Sequence, residues 1–146
     1  NQVRVYRGKT LLREIIASAG APDTPTPTGW YRINGRGYAF FSYKYQEGAY
    51  YWVRFIGNYL FHSIPFDAKR QIKASEAAKL GTPASHGCVR LSIPDAKWIY
   101  DNVPDGTVVV IHSPPQFMSS MATDVDETMV FLSNDEELEH FLEGVN

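Results

Sequence analysis

Cys88 is the single cysteine of this 146-residue chain, and it stands in the run Ser85-His86-Gly87-Cys88-Val89-Arg90-Leu91. A thiol acts as a nucleophile through its thiolate, and at an ordinary pKa of about 8.5 little of it is ionised at neutral pH. A nearby imidazole or convergent backbone amides change that balance. His86 lies two positions before the thiol, and on an extended backbone such a residue projects to the same face. Gly87 lets the backbone approach a reacting group closely, since it carries no Cβ. Val89 and Leu91 alternate with Cys88 and Arg90, as in a strand starting at the thiol. A second imidazole, His62, is remote in sequence and can meet Cys88 only through the fold. The pattern leaves both histidines open as the base. The competing reading is a buried structural cysteine; the flanking His-Gly and the upstream His62 favour acyl-transfer chemistry.

The same run, preceded by Leu80-Gly81-Thr82-Pro83, resembles the active-site signature of the L,D-transpeptidase catalytic domain (YkuD-type). Pro25-Thr26-Pro27-Thr28-Gly29, Phe61-His62-Ser63 and Gly106-Thr107-Val108-Val109-Val110 also match, in the family's order, so the resemblance covers roughly residues 2–112. It implies a mainly β fold with short helices, an L,D-transpeptidase-type β-sandwich with the nucleophile at the start of a strand. It implies Cys88 as nucleophile, His62 as base and Ser63 as the residue orienting that imidazole, in part through its backbone carbonyl. His86, Gly87 and Cys88 match the segment whose amides form the oxyanion hole, and the His86 side chain is a further candidate for substrate contact. Arg90 is a candidate for binding a substrate carboxylate or for an internal ion pair, with the structural role favoured. Tyr50 and Tyr59 are candidates for the cleft. The implied reaction is attack on an L-to-D peptide bond of a peptidoglycan tetrapeptide stem, release of D-alanine, and transfer of the acyl group to another stem to form a 3→3 cross-link. Water as acceptor would give L,D-carboxypeptidase activity, and a lipoprotein amine would give anchoring. No cofactor is implied. Twenty-five residues separate His62 from Cys88, more than in the shorter relatives. The extra stretch, around Phe66–Leu80, is a candidate lid.

The elements that must position these residues read mostly as strands. Residues 2–7 alternate and end at Gly8-Lys9, a hairpin signal. Leu11 to Ser18 fits strand or helix by pattern, and the resemblance favours strand. Gly20 to Gly29 carries three prolines and reads as an extended loop. Trp30 to Ser63 is rich in aromatic and β-branched residues, with turn signals at Asn34-Gly35, Glu47-Gly48 and Gly57-Asn58. We expect strands over about 28–33, 37–45, 49–56 and 58–63, with most of the aromatics in the core or in cross-strand pairs. Ala68 to Leu80 reads as a helix closed by Gly81. Ser92, Pro94 and Asp95 read as the start of another, buried through Ala96, Trp98, Ile99 and Val103. Gly106 to His112 reads as a strand ended by Ser113-Pro114-Pro115.

Length and composition suit one domain, with 44 % hydrophobic residues. We divide the chain into a catalytic domain, 1–115, and an acidic extension, 116–146, docked on it. Residues 1–97 hold all 14 Lys and Arg against 6 acids, whereas residues 98–146 hold 10 acids and neither Lys nor Arg. In the extension, Met129-Val130-Phe131-Leu132 reads as a short strand. Ser133-Asn134-Asp135-Glu136 has capping-box spacing, followed by an apolar stripe of Leu138, Phe141 and Leu142 on a helix over about 134–143. The basic residues are scattered singly, which argues against nucleic acid as a partner. A metal site drawn from His62, His86, Cys88 and His112 lacks the usual spacing and a second cysteine. A wall-binding module without catalysis is the reading from a different class. We expect a monomer working outside the membrane, exported or anchored through residues absent from this sequence.

Overall fold

The computed structural model describes residues 1–8, 10–112 and 128–132. β1 (Gln2–Arg7) and β2 (Thr10–Ser18) form the expected hairpin. β2 is a strand because its burial follows a period of two: Ile15 and Ala17 are buried while Ile16 is 60 % exposed. β3 (Gly29–Arg32), β4 (Arg36–Ser42), β5 (Glu47–Ile56) and β6 (Tyr59–Ser63) follow as antiparallel-type strands rich in aromatics. The turn between β4 and β5 falls at Tyr43–Gln46, ahead of the expected Glu47-Gly48, and Gln46 takes the left-handed conformation there with φ 51°.

The helix expected over Ala68–Leu80 shrinks to α1 (Ala74–Ala77). Its first half is diverted because the Asp67 carboxylate accepts the Lys69 and Gln71 amides at 2.8 and 3.0 Å, offering the backbone a turn in place of a helix. Phe66 is buried and forms bridges to Gly48 and Ile72. β7 (Val89–Leu91) comes next, then α2 (Ile93–Asn102). Ser92 caps α2 by accepting the Asp95 amide, with Pro94 in the first turn. Such a cap contributes about 1 kcal/mol. Ala96, Ile99 and Val103 are buried as expected, and Trp98 is half-buried against the same core. β8 (Val108–His112) and β9 (Thr128–Leu132) complete the sheet.

The strand order is β3-β8-β9-β1-β2-β7-β6-β5-β4. β9, expected from Met129–Leu132, runs parallel to β1 and antiparallel to β8. The rest of the acidic extension, with its capping box and its Leu138, Phe141 and Leu142 stripe, lies outside the described residues, as does Ser113-Pro114-Pro115. The sheet folds back on itself as a sandwich. Val3, Val5, Ile15, Val109 and Ile111 from one arm share a core with Val53, Phe55, Phe61, Val89 and Leu91 from the other. Hydrogen bonds from Asn34 N to Arg54 O and from Ile33 N to Thr107 O fasten the two arms at one end. Each fully buried apolar side chain contributes about 1.5–3 kcal/mol. Of the aromatics, Phe55 and Phe61 are core, and Tyr38, though 60 % exposed, pairs across to Tyr51 on β5 with ring centroids 5.5 Å apart. Tyr43 in the turn, 82 % exposed, is neither core nor a cross-strand pair.

Candidate active site

β6 and β7 are parallel neighbours, with Phe61 opposite Val89, His62 opposite Arg90 and Ser63 opposite Leu91. Phe61, Val89 and Leu91 face the core. By alternation His62 and Arg90 face the other way, into a cleft of about 700 Å³ that Cys88 also lines. The fold thus brings the remote histidine and the thiol to one cavity. His62 is 6 % exposed, and its Nδ1 lies 2.6 Å from the Ser63 carbonyl. A carbonyl only accepts, so Nδ1 carries the hydrogen and Nε2 keeps its lone pair. The fully buried Ser63 accepts the Tyr50 amide and donates to the Ile64 carbonyl, which pins the strand end carrying the imidazole.

The thiol is also held. Cys88 Sγ accepts the Leu60 amide at 3.4 Å and donates to the Asn58 carbonyl at 3.5 Å; His62 is not among its hydrogen-bond partners. Burial pushes the Cys88 thiol pKa up, against the opposing pull of the Leu60 amide and the Arg90 charge. Burial likewise lowers His62 from 6.5 to about 4, helped by the Arg90 charge and opposed by the Ser63 carbonyl and Glu47. The resting pair is therefore neutral thiol and neutral imidazole.

The loop before the thiol is fixed by hydroxyl groups. Ser85 Oγ donates to the Cys88 carbonyl and accepts the Gly87 amide at 3.0 Å. Thr26, 1 % exposed, donates to the Gly87 carbonyl at 2.7 Å and accepts the Gly20 amide at 2.9 Å. Thr24 Oγ1 and the Ala21 amide both donate to the Ser85 carbonyl. Gly87 has φ +126°, and a Cβ there would stand 2.5 Å from the Tyr59 ring, so both conformation and space demand glycine.

This backbone revises two expectations. The Gly87 amide, expected in the oxyanion hole, is taken by Ser85. The Cys88 and His86 amides have no acceptor among the described residues. The positive φ at Gly87 also breaks the extended run assumed between His86 and the thiol, although both line the cleft. His86 is exposed and stacks on Tyr45, ring centroids 4.4 Å apart and planes within 12°.

Arg90 is 5 % exposed, 2.7 Å from Glu76 and 3.5 Å from Glu47, and Glu47 also binds Lys73 at 2.9 Å. The guanidinium is thus committed to an internal network that ties α1 to the floor of the cleft. Tyr59 lines the cleft; Tyr50 does not, its ring lying against Tyr38, Tyr51 and Phe66. None of the residues 66–80, the candidate lid, lines the cleft; Phe66 is buried, but most of the stretch is exposed and α1 buries no residue. The chain motif missed Leu60, Asn58, Glu47 and Tyr45, which carry no sequence signal of their own. Thr26 and Ser85 had one, a hydroxyl inside a matched motif. Among the described residues no three His, Cys, Asp or Glu converge as a metal site, and no helix is long and apolar enough to cross a membrane.

Comparison with known proteins gives concordant matches. The sequence model of the L,D-transpeptidase catalytic domain (YkuD) matches residues 1–111. A curated relative, the putative L,D-transpeptidase YciB of Bacillus subtilis (strain 168), is 46 % identical over 113 residues, covering 73 % of this chain and 58 % of the relative. Among solved structures, a fused Zn-dependent amidase/peptidase/peptidoglycan-binding domain-containing protein from Clostridium acetobutylicum ATCC 824 is 27 % identical with a TM-score of 0.52, covering 90 % of this chain and 51 % of that one. An LD transpeptidase solved in complex with imipenem has a TM-score of 0.57 at 20 % identity, covering 88 % of this chain and 58 % of that one; at that identity the likeness concerns the fold. The chain thus spans between half and three fifths of the length of these proteins.

Proposed function

The chain belongs to the L,D-transpeptidase catalytic domain family, and on that premise we propose that it is a cysteine acyltransferase acting on peptidoglycan stem peptides outside the cytoplasmic membrane. The observation that carries the reading is the convergence in one cleft of Cys88 and a buried His62 whose Nδ1–H is given to the Ser63 carbonyl, leaving Nε2 as the base. In this mechanism Cys88 Sγ attacks the carbonyl after the third stem residue while the thiol proton passes to His62. The resting thiol is neutral, so proton transfer accompanies attack. The step also requires the thiol to exchange the Asn58 carbonyl for the imidazole. The developing oxyanion takes the uncommitted Cys88 amide, and preorganised donors of this kind are worth about 2.7–4 kcal/mol each in the transition state. His62 returns the proton to the departing D-alanine amine, leaving a thioester on Cys88. The amine of a second stem then attacks the thioester carbonyl, the C–S bond breaks, the amine proton passes through His62 to the departing Cys88 thiolate, and the new amide is the 3→3 link. Ser63 positions the imidazole. Of the acidic extension, β9 (Thr128–Leu132) is hydrogen-bonded between β8 and β1, which supports counting that strand with the catalytic domain.

Mass spectrometry of the products from defined tetrapeptide stems tests the reaction. Loss of D-alanine with formation of a stem dimer is the expected outcome; loss of D-alanine with a hydrolysed tripeptide alone would make the protein an L,D-carboxypeptidase. A carbapenem should add one acyl group, on Cys88, and C88A should lose both the adduct and D-alanine release. Turnover retained by C88A would end the assignment.

A further inference from the structure

Four charged side chains line the cleft: Lys44, Glu47, Arg54 and Arg90. Glu47 and Arg90 are bound to each other, and to Lys73 and Glu76. Arg54 and Lys44 have no carboxylate partner in hydrogen-bond range among the described residues. The uncommitted charge of the cleft is therefore positive.

Arg54 is the better built of the two. Its Nε and NH2 donate to the Asn34 carbonyl at 3.3 and 3.1 Å, and Nε donates to Asn34 Oδ1 at 3.0 Å. Its guanidinium lies over the Trp52 ring, 5.6 Å from the centroid. Gly35 leaves the space it needs, since a Cβ there would stand 2.6 Å from Arg54 NH2. These partners are neutral, so they fix the group without cancelling its charge; the charge it feels from Asp105 belongs to a carboxylate already bound by Arg36. Immobilisation before binding lowers the entropy cost of forming a carboxylate pair. Location completes the argument. Arg54 is the cross-strand partner of Leu60, whose amide touches Cys88 Sγ at 3.4 Å. Partners across an antiparallel pair share a face, so Arg54 faces the cleft that Leu60 and Cys88 also line.

Resting on the acyl-transfer reading, we propose that Arg54 is a specificity residue that reads a carboxylate of the acyl donor, either its terminal carboxylate or one on a side chain near the scissile bond. The occupant of the cleft is accordingly an anionic peptide, and Lys44 contributes long-range attraction without a fixed contact.

The experiment uses the full chain and three synthetic tetrapeptide donors: one with free carboxylates, one amidated at its C-terminus and one amidated on its side-chain carboxylate. The readout is kcat/KM for D-amino-acid release. One of the two amidations should lower wild-type kcat/KM at least about tenfold, as expected for a lost charge-assisted hydrogen bond, and the arm that falls identifies the carboxylate. R54Q should lose that discrimination, with R54K retaining part of it and K44Q most of it. The ratio between donors is internal to each variant, so partial unfolding of R54Q does not mimic the result, and R54K gives a second reading of the same ratio. Equal wild-type turnover of all three donors, or discrimination unchanged in R54Q, overturns this inference and leaves the acyl transfer standing. Discrimination lost in K44Q and kept in R54Q overturns it too. If the wild type releases D-amino acid from none of the donors, the acyl-transfer reading falls and takes this one with it.

Discussion

Cys88 and Tyr45 line the same cleft, but the chain around each is held by different forces. On the Cys88 side, buried hydroxyls of Thr26 and Ser85 bind the main chain of residues 85–88, and the Leu60 amide binds the thiol itself. On the Tyr45 side, the turn Tyr43–Gln46 is exposed, carries a left-handed Gln46 and meets the nucleophile loop through the Tyr45–His86 stack. Buried hydrogen bonds with no competing water are costly to break, whereas an exposed ring stack exchanges readily. The molecule thus fixes the proposed nucleophile and leaves the Tyr45 wall of the cleft adaptable.

The most damaging way to break the fixed side is through His62. H62Q should lower kcat by about 10²–10⁴-fold, the usual range for a lost general base. His62 also has a signature in stability. Its folded pKa of about 4 lies below the unfolded value of 6.5. As pH falls through 6.5 the unfolded chain takes the proton and the native state does not, so stability declines from there down to about pH 4, by about 3 kcal/mol in all. Above pH 6.5 neither state is protonated and the effect vanishes. Denaturant titrations at pH 7.5, 5.5 and 4.5 should show this decline in the wild type and a shallower one in H62Q, carboxylate titration being common to both. Parallel curves would mean that the imidazole is not buried neutral.

The sequence made the thiol and imidazole of the candidate site legible and their support much less so. Cys88 stands out because it is unique, and His62 because an Phe-His-Ser run recurs in its matched order. For His86, alternation suggests a place beside the thiol only if the backbone is extended, and Gly87 with φ +126° interrupts it; the ring lines the cleft, stacked on Tyr45. The helix expected over 68–80 failed for a local reason, a carboxylate at Asp67 that competes for the amides of the next turn. Hydrophobic pattern and turn signals gave β5, β6 and α2 nearly to their ends, whereas for β2 the pattern left strand and helix open and the resemblance favoured the strand that is found. The commitment of Arg90 to Glu47 and Glu76 depends on where three separate elements meet, and no spacing encodes that.

A smaller effect is expected from T26V. The substitution keeps volume but leaves the Gly20 amide and the Gly87 carbonyl without their partner in a site that is 1 % exposed. Each unsatisfied buried group costs about 1–3 kcal/mol, so urea unfolding should register a loss of about 2–3 kcal/mol. The nucleophile loop should loosen as well, lowering kcat more than it raises KM. A variant with wild-type stability would show that the loop is held by Ser85 alone, and the contrast between the two walls would shrink.

The smallest effect belongs to Y45A, which probes the adaptable wall. Tyr45 is 43 % exposed, and its partners are an exposed His86 ring at 4.4 Å and the Lys44 ammonium at 5.2 Å. An aromatic pair adds about 0.5–1.5 kcal/mol beyond area and a cation over an exposed ring about 0.5–1 kcal/mol. Solvent on one side places both at the low end, so unfolding should move by less than about 1 kcal/mol. The informative quantity is the kinetic split. If the ring is a surface on which donor peptide lies, KM rises severalfold with kcat little changed, and the rate at which a carbapenem acylates Cys88 stays near that of the wild type, because the thiol's own partners, Asn58 and Leu60, are untouched. If the stack instead holds the loop, kcat and acylation fall together. A joint fall of tenfold or more would mean that the two walls are mechanically one, and that the immobility of Cys88 depends on a contact reaching across from the β4–β5 turn.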